Sequence, residues 1–113
     1  MNVAEVLGSV GRGTIPLMPQ AESIIVTHHA AASRFEALVE GRLCECCYLL
    51  NGTVLTFTHT EVPPSLAGRG IAAALVKAAL EWAQAQGVQV VPACSYVAAY
   101  MQRHPQTQAL LRR

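Results

Sequence analysis
The stretch HTEVPPSLAGRGIAA, residues 59–73, limits what this chain can fold into more than any other part of it. A run of β-forming residues, Thr53, Val54, Leu55, Thr56, Phe57 and Thr58, leads in, and a long alanine-rich segment leads out. Between them stands Gly68-Arg69-Gly70. A strand that passes through a glycine loop into a helix leaves the first N–H groups of that helix without partners, pointing into a cleft. Those donors, together with the positive end of the helix dipole, attract anions and above all phosphates. Glycine suits the loop because a Cβ would obstruct a ligand approaching the backbone. A side chain at Gly70, close to a helix start, is expected to leave the fold intact.

Periodicity places the rest of the chain around this unit. Residues 1–23 are punctuated by Gly8, Gly11, Gly13, Pro16 and Pro19 and keep no regular period, which predicts a loosely structured tail. Residues 24–113 then form one domain, since 113 residues leave room for a single modest core. Residues 24–27 suit a short extended piece. Residues 33–40 alternate, with Phe35, Ala37 and Val39 on one face, and Gly41-Arg42 turns the chain into a strand over residues 43–50. Asn51-Gly52 is a strong hairpin signal leading into a strand over residues 53–60.

A helix is predicted from Ile71 to Gln86, with Gly87 as its C-terminal stop, Lys77, Glu81 and Gln84 wet, and Ile71, Leu75, Ala79 and Trp82 buried. A short strand over residues 88–91 follows, and this strand–helix–strand order implies a right-handed crossover to a parallel neighbour. A second helix from Ser95 to Arg103 halts before Pro105, and residues 106–113 add a last turn. The predicted class is α+β: a mixed sheet, antiparallel at first with a parallel final pair, and helices packed on it.

Composition excludes several functions. A net charge of +1 gives no global drive towards nucleic acid, and no long uninterrupted apolar run exists to span a membrane. The distribution is uneven: residues 1–68 hold three basic and six acidic side chains, residues 69–113 five basic and one acidic. The half that opens with the glycine loop is therefore the positive one, which favours an anionic ligand there. Cys44, Cys46, Cys47 and Cys94 occur without a signal-peptide pattern, so free thiols in a reducing cytoplasm are expected. On a strand Cys44 and Cys46 point one way and Cys47 the other, so they cannot converge on one metal ion. No metal site is predicted, and these three read as core residues.

His59 and Glu61 share one side of their strand, with Thr60 opposite. Either suits a general base for a protonated amine, whose reference pKa lies near ~10.4. Glu61 could instead face the positive end of the next helix, and His59 could be an ordinary surface residue. Cys94 stands where a strand ends and a helix begins, a position that favours thiolate and allows an acyl-cysteine route. Tyr96, Tyr100 and His104 recur at helical spacing along one face of the last helix.

Ala67-Gly68-Arg69-Gly70-Ile71-Ala72 resembles the pyrophosphate loop of the GNAT acetyltransferase superfamily, whose pattern is Gln/Arg-x-x-Gly-x-Gly/Ala. Ala67 stands where the family prefers Gln or Arg, which removes one side-chain contact and leaves the backbone cradle. His59-Thr60-Glu61-Val62-Pro63-Pro64 and Cys94-Ser95-Tyr96 are similar to a minimal single-domain branch of that superfamily, so the resemblance spans roughly residues 28–106. It implies an acetyl-CoA-dependent N-acyltransferase acting on the amine of a small molecule or protein, with coenzyme A held by Gly68, Arg69, Gly70, Ile71, Ala72 and Ala73. Backbone amides near Val62 would polarise the carbonyl. A tyrosine on the last helix, Tyr96 or Tyr100, would protonate the departing thiolate. The fold implied carries two parallel strands that splay around the cofactor. A different class of function shares these residues: a module that binds acetyl-CoA or coenzyme A without efficient turnover.

Overall fold
The computed structural model describes residues 24–112, so the predicted tail over residues 1–23 lies outside the described residues. Strands β1 (Thr27–His29), β2 (Arg34–Val39), β3 (Arg42–Asn51), β4 (Val54–Glu61) and β5 (Gln89–Pro92) form one sheet in the order β1-β2-β3-β4-β5. The first four are antiparallel neighbours and β5 lies parallel to β4. Helix α1 (Ile71–Gln86) crosses over between β4 and β5, and α2 (Ser95–Arg103) follows β5. The mixed sheet with its parallel final pair is the predicted class. Two readings shift: the short extended piece read at residues 24–27 is the strand Thr27–His29, and the last turn read at residues 106–113 is a 3-10 helix over Pro105–Leu110.

Local chemistry explains these elements. Glu40 and Gly41 both take positive φ in the two-residue turn between β2 and β3, the backbone that matches the twist of a tight hairpin. Helix α1 ends at Gly87, whose φ of 70° lets its N–H reach the carbonyls of Ala83 and Gln84. The free edge of β5 is partly covered by the chain's end, where Leu111 bridges Val90 and the Arg112 N–H donates to the Val90 carbonyl at 2.9 Å.

Both helices share one core with the inner face of the sheet. Phe35, Ala37, Cys44, Cys46, Tyr48, Leu55 and Phe57 meet Ile71, Leu75, Val76, Ala79 and Leu80 of α1 and Val97 and Met101 of α2. Burying Leu55 or Phe57 fully is worth about 1.5–3 kcal/mol each relative to exposure. Cys44 and Cys46 are wholly buried, and Cys47 lies on the opposite face, as expected. Trp82 is half-buried, within ring contact of His28, Phe35 and Tyr48. His28 stacks on Phe35 with centroids 4.0 Å apart, and its Nε2 lies 2.6 Å from the Tyr48 hydroxyl.

One irregularity positions everything that follows. Cys47 pairs with His59 and Tyr48 with Phe57, so β4 carries an extra residue, Thr58, against β3. Strict alternation from Leu55 and Phe57 would aim His59 and Glu61 into the core. The bulge reverses the faces: Thr60 turns inward beside Cys46, and His59 and Glu61 turn out.

Burial, and secondarily the neighbouring His29, lowers the affinity of His28 for its proton below the ordinary imidazole value. The unfolded chain then binds this proton more readily, so stability should rise with pH through the histidine range and fall as pH drops below about 6.5. Denaturant melts of wild type and His28→Phe at several pH values check this: the variant should show the shallower loss on the acid side.

Candidate functional site
The glycine loop is built as a stiff approach to α1. Pro63 and Pro64 lead into a 3-10 turn over Pro64–Leu66, and Leu66 is buried as its anchor. Gly68 and Gly70 then adopt φ values of 82° and 79°. Gly70 is the residue that caps α1, so no side chain caps the helix, and its carbonyl accepts the first helical bond from Ala74 at 3.0 Å. The N–H groups of Ile71, Ala72 and Ala73 precede that bond and have no intrahelical acceptor. The first turn holds no acidic side chain to compete for them.

The residues that carry these N–H groups line a cavity of about 360 Å³ together with Val62, Leu66, Ala67, Gly68, Gly70 and Tyr96. A Cβ built on Gly68 or Gly70 meets nothing within 4 Å, so the cradle is open on that side. Six of the seven residues the sequence assigned to cofactor binding, Val62, Gly68, Gly70, Ile71, Ala72 and Ala73, converge here. Arg69 directs its guanidinium to the β2–β3 turn, with Nη1 3.0 Å from Glu40 Oε2.

A second opening lies above the loop. The β4–β5 ladder ends at Phe57–Pro92, while β4 continues to Glu61. The last backbone link across the gap is the Cys94 N–H donating to the Phe57 carbonyl at 2.8 Å, and beyond it the Thr60 side chain reaches Cys94. Beyond it the two strands have parted, with α2 starting on one side and the bulged end of β4 on the other. A parallel pair that separates over a glycine-capped helix, with the loop pattern between, is a combination few folds share.

Residues 34–110 match the GCN5-related N-acetyl-transferase family. The chain belongs to that family. It is 30% identical over 98 residues to Protein NATD1 of Xenopus tropicalis, an overlap covering 84% of this chain and 90% of that protein. It is 37% identical over 59 residues to Protein NATD1 of Homo sapiens, covering 52% of each. The solution structure of a GCN5-like protein from Staphylococcus aureus superposes with a TM-score of 0.63 at 20% identity, covering 79% of this chain and 88% of that one. That likeness bears on the fold, which is the GCN5-related one.

Within this GCN5-related frame the candidate side chains fall into two groups. His59 Nε2 lies 3.0 Å from Glu61 Oε1, both exposed on the outer face. Glu45 stands opposite Glu61 on β3, and its carboxylate joins the same cluster within 4.8 Å. Cys94 occupies the inner side: it caps α2 with an extended backbone and is 9% exposed. Its side chain makes no capping bond to the helix; instead Sγ lies 3.4 Å from the Thr60 hydroxyl.

The tyrosines separate. Tyr96 lines the glycine-loop cavity, whereas Tyr100 stacks on His104 with centroids 3.9 Å apart and borders another hollow with Lys77, Leu80 and Glu81. Burial raises the Tyr100 phenol above its ordinary value. Leu66 and Thr60 are thus site neighbours that the sequence reading did not select, and of the two tyrosines it left open Tyr96 is the one at the loop cavity. Tyr96 carried a signal in its helical spacing; Thr60 carried none, because the bulge that aims it has no mark in residue type.

The structure corrects the expected tolerance at Gly70. At a φ of 79° any L side chain is strained, even though the space beside it is open. Gly70→Ala should therefore cost about 1–2 kcal/mol, read as a lower denaturant midpoint at unchanged slope, and Gly70→Asn should cost less.

Proposed function
We propose that this protein is an acetyl-CoA-dependent N-acyltransferase that delivers an acyl group to an amine. The observation that carries the reading is the glycine-capped start of α1, where unpartnered N–H groups line a cavity at the foot of the parted β4–β5 pair. That cradle fits a pyrophosphate in charge, in donor supply and in the open space beside both glycines. Coenzyme A, when bound, supplies the acyl group as an activated thioester.

The chain's own residues then divide the work. Ile71, Ala72 and Ala73 hold the phosphates through their N–H groups. Tyr96, on the cavity wall, takes the role of proton donor to the departing thiolate in preference to Tyr100. His59 and Glu61, hydrogen-bonded on the open face, relieve the incoming amine of its proton, with the carboxylate orienting the imidazole. Cys94, at the edge of the core two residues before Tyr96, is the candidate nucleophile for an acyl-cysteine route. The binding-module reading draws on one feature: among the described residues no helix covers the outer face that an acceptor would approach.

Two experiments divide these readings. Intact mass after incubation with acetyl-CoA should give a non-covalent adduct in native conditions; no adduct of any kind removes the acyl-CoA assignment. A covalent acetyl that maps to Cys94 supports the cysteine route, and an adduct without turnover on any amine favours the binding module. Calorimetry of Gly70→Asp against Gly70→Asn holds shape nearly constant and changes charge, so the aspartate should bind coenzyme A at least about tenfold more weakly. Equal affinities would sink the phosphate cradle.

Glu61→Gln keeps shape and removes basicity. It should slow amine acylation at neutral pH by on the order of tenfold to a hundredfold, with coenzyme A affinity unchanged. A pH–rate profile identical to wild type would assign Glu61 a structural role.

A further inference from the structure
The bulge at Thr58 brings a hydroxyl between two sulfurs. Thr60 Oγ1 lies 3.4 Å from Cys94 Sγ and 3.7 Å from Cys46 Sγ. A hydroxyl carries one proton and two lone pairs, so Thr60 donates to one sulfur while accepting from the other. Cys46 is wholly buried, and burial pushes its thiol up to about 11, so it keeps its proton across the neutral range. Cys94 lies at the edge of the core, two residues before the cavity-lining Tyr96.

The three groups form a line in which the Thr60 hydroxyl donates to Cys46 while its contact with Cys94 can run in either direction. With Cys94 protonated, its S–H donates to Thr60, and the Thr60 O–H donates to Cys46. With a thiolate at Cys94, the hydroxyl can turn from Cys46 to donate to the Cys94 sulfur. A hydrogen bond to a charged sulfur is stronger than one to a neutral thiol, so a Cys94 thiolate has a donor already in place.

We infer that Thr60 is a positioning residue for Cys94, its hydroxyl aiming the sulfur at the cleft and hydrogen-bonding the thiolate. The inference rests on Cys94 serving as the acyl acceptor. It also gives the bulge a purpose: without the extra Thr58, His59 would stand on the inner face in place of Thr60, and no hydroxyl would lie between the sulfurs.

Alkylation of Cys94 by iodoacetamide, followed by peptide mapping from about pH 6 to about pH 10, tests this. Thr60→Val keeps the shape and removes the donor. It should slow labelling of Cys94 at neutral pH by about threefold to tenfold and change the pH profile of that labelling. Thr60→Ser should restore both. Coenzyme A affinity by calorimetry should stay within about twofold in either variant, because the phosphate cradle is separate. A valine variant with the wild-type pH profile, or a serine variant that fails to recover it, overturns the role of Thr60. The acetyl adduct on wild-type protein tests the underlying reading separately. A shifted profile without any Cys94 acetyl overturns the acyl-acceptor role and upholds the hold on the thiol. A Cys94 acetyl with an unshifted profile overturns the Thr60 inference alone.

Discussion
The fold depends on where one ladder of hydrogen bonds stops. β4 and β5 pair through four residues, and the pairing ends at Pro92, which has no N–H to continue it. Within the same turn of chain, β4 bulges at Thr58 against its other neighbour, β3. The two events lie side by side. One frees the edge of β4 and opens a gap, and the other rotates the strand's last residues about its axis. Without the stop there would be no cleft, and without the bulge the polar end of β4 would point into a hydrophobic core. His59 and Glu61 would then need partners that a largely apolar core offers few of.

Stability around that gap comes from elsewhere in the sheet. The densest ring contacts join β1, β2, β3 and α1 through His28, Phe35, Tyr48 and Trp82. Their weight lies at the end of the sheet away from the β4–β5 split, so the cleft can remain open while the domain stays closed. The unusual member is His28, which behaves as a flat apolar ring against Phe35 and as a hydrogen-bond partner to Tyr48. A phenylalanine would serve the first role and leave the Tyr48 hydroxyl unpaired on that side, which is the physical reason for a histidine in an aromatic cluster.

Much of this was legible in the residues. Alternating apolar positions gave the strands, Asn51-Gly52 gave the hairpin, and both helices matched their predicted ends, because Gly87 and Pro105 are strong punctuation. The convergence of Gly68, Gly70 and the first turn of α1 on one cavity followed from the strand–loop–helix order, and Val62 from the family resemblance. What was not legible depends on register and on backbone angle. Thr58 looks like any other threonine in a threonine-rich strand, so the inward turn of Thr60 could not be read from its neighbours. The choice between Tyr96 and Tyr100 hangs on where α2 sits over the cavity, a matter of packing rather than spacing. The positive φ of Gly70 is equally hidden, since glycine at a helix start is also common with ordinary angles.

The loop that forms the cradle is nearly without side chains, which poses the question of what holds it. Gly68 and Gly70 contribute flexibility to the unfolded chain, and each must be fixed at positive φ on folding, an entropic cost that the loop's few contacts have to offset. Three contacts do so. Pro63-Pro64 restricts the entry, Leu66 is buried to 1% exposure beneath the loop, and Arg69 reaches Glu40 at the tip of the β2–β3 hairpin. Glu40 itself holds a positive φ, so the ion pair joins two tight turns to each other. Arg69 thereby secures the loop from outside while the backbone N–H groups on either side of it remain available within. An anion that arrives at such a loop finds its donors already aimed, and little further ordering is needed at the moment of binding. The Arg69–Glu40 pair thus ties the glycine loop to the β2–β3 turn, while the start of α1 carries its own partial positive charge.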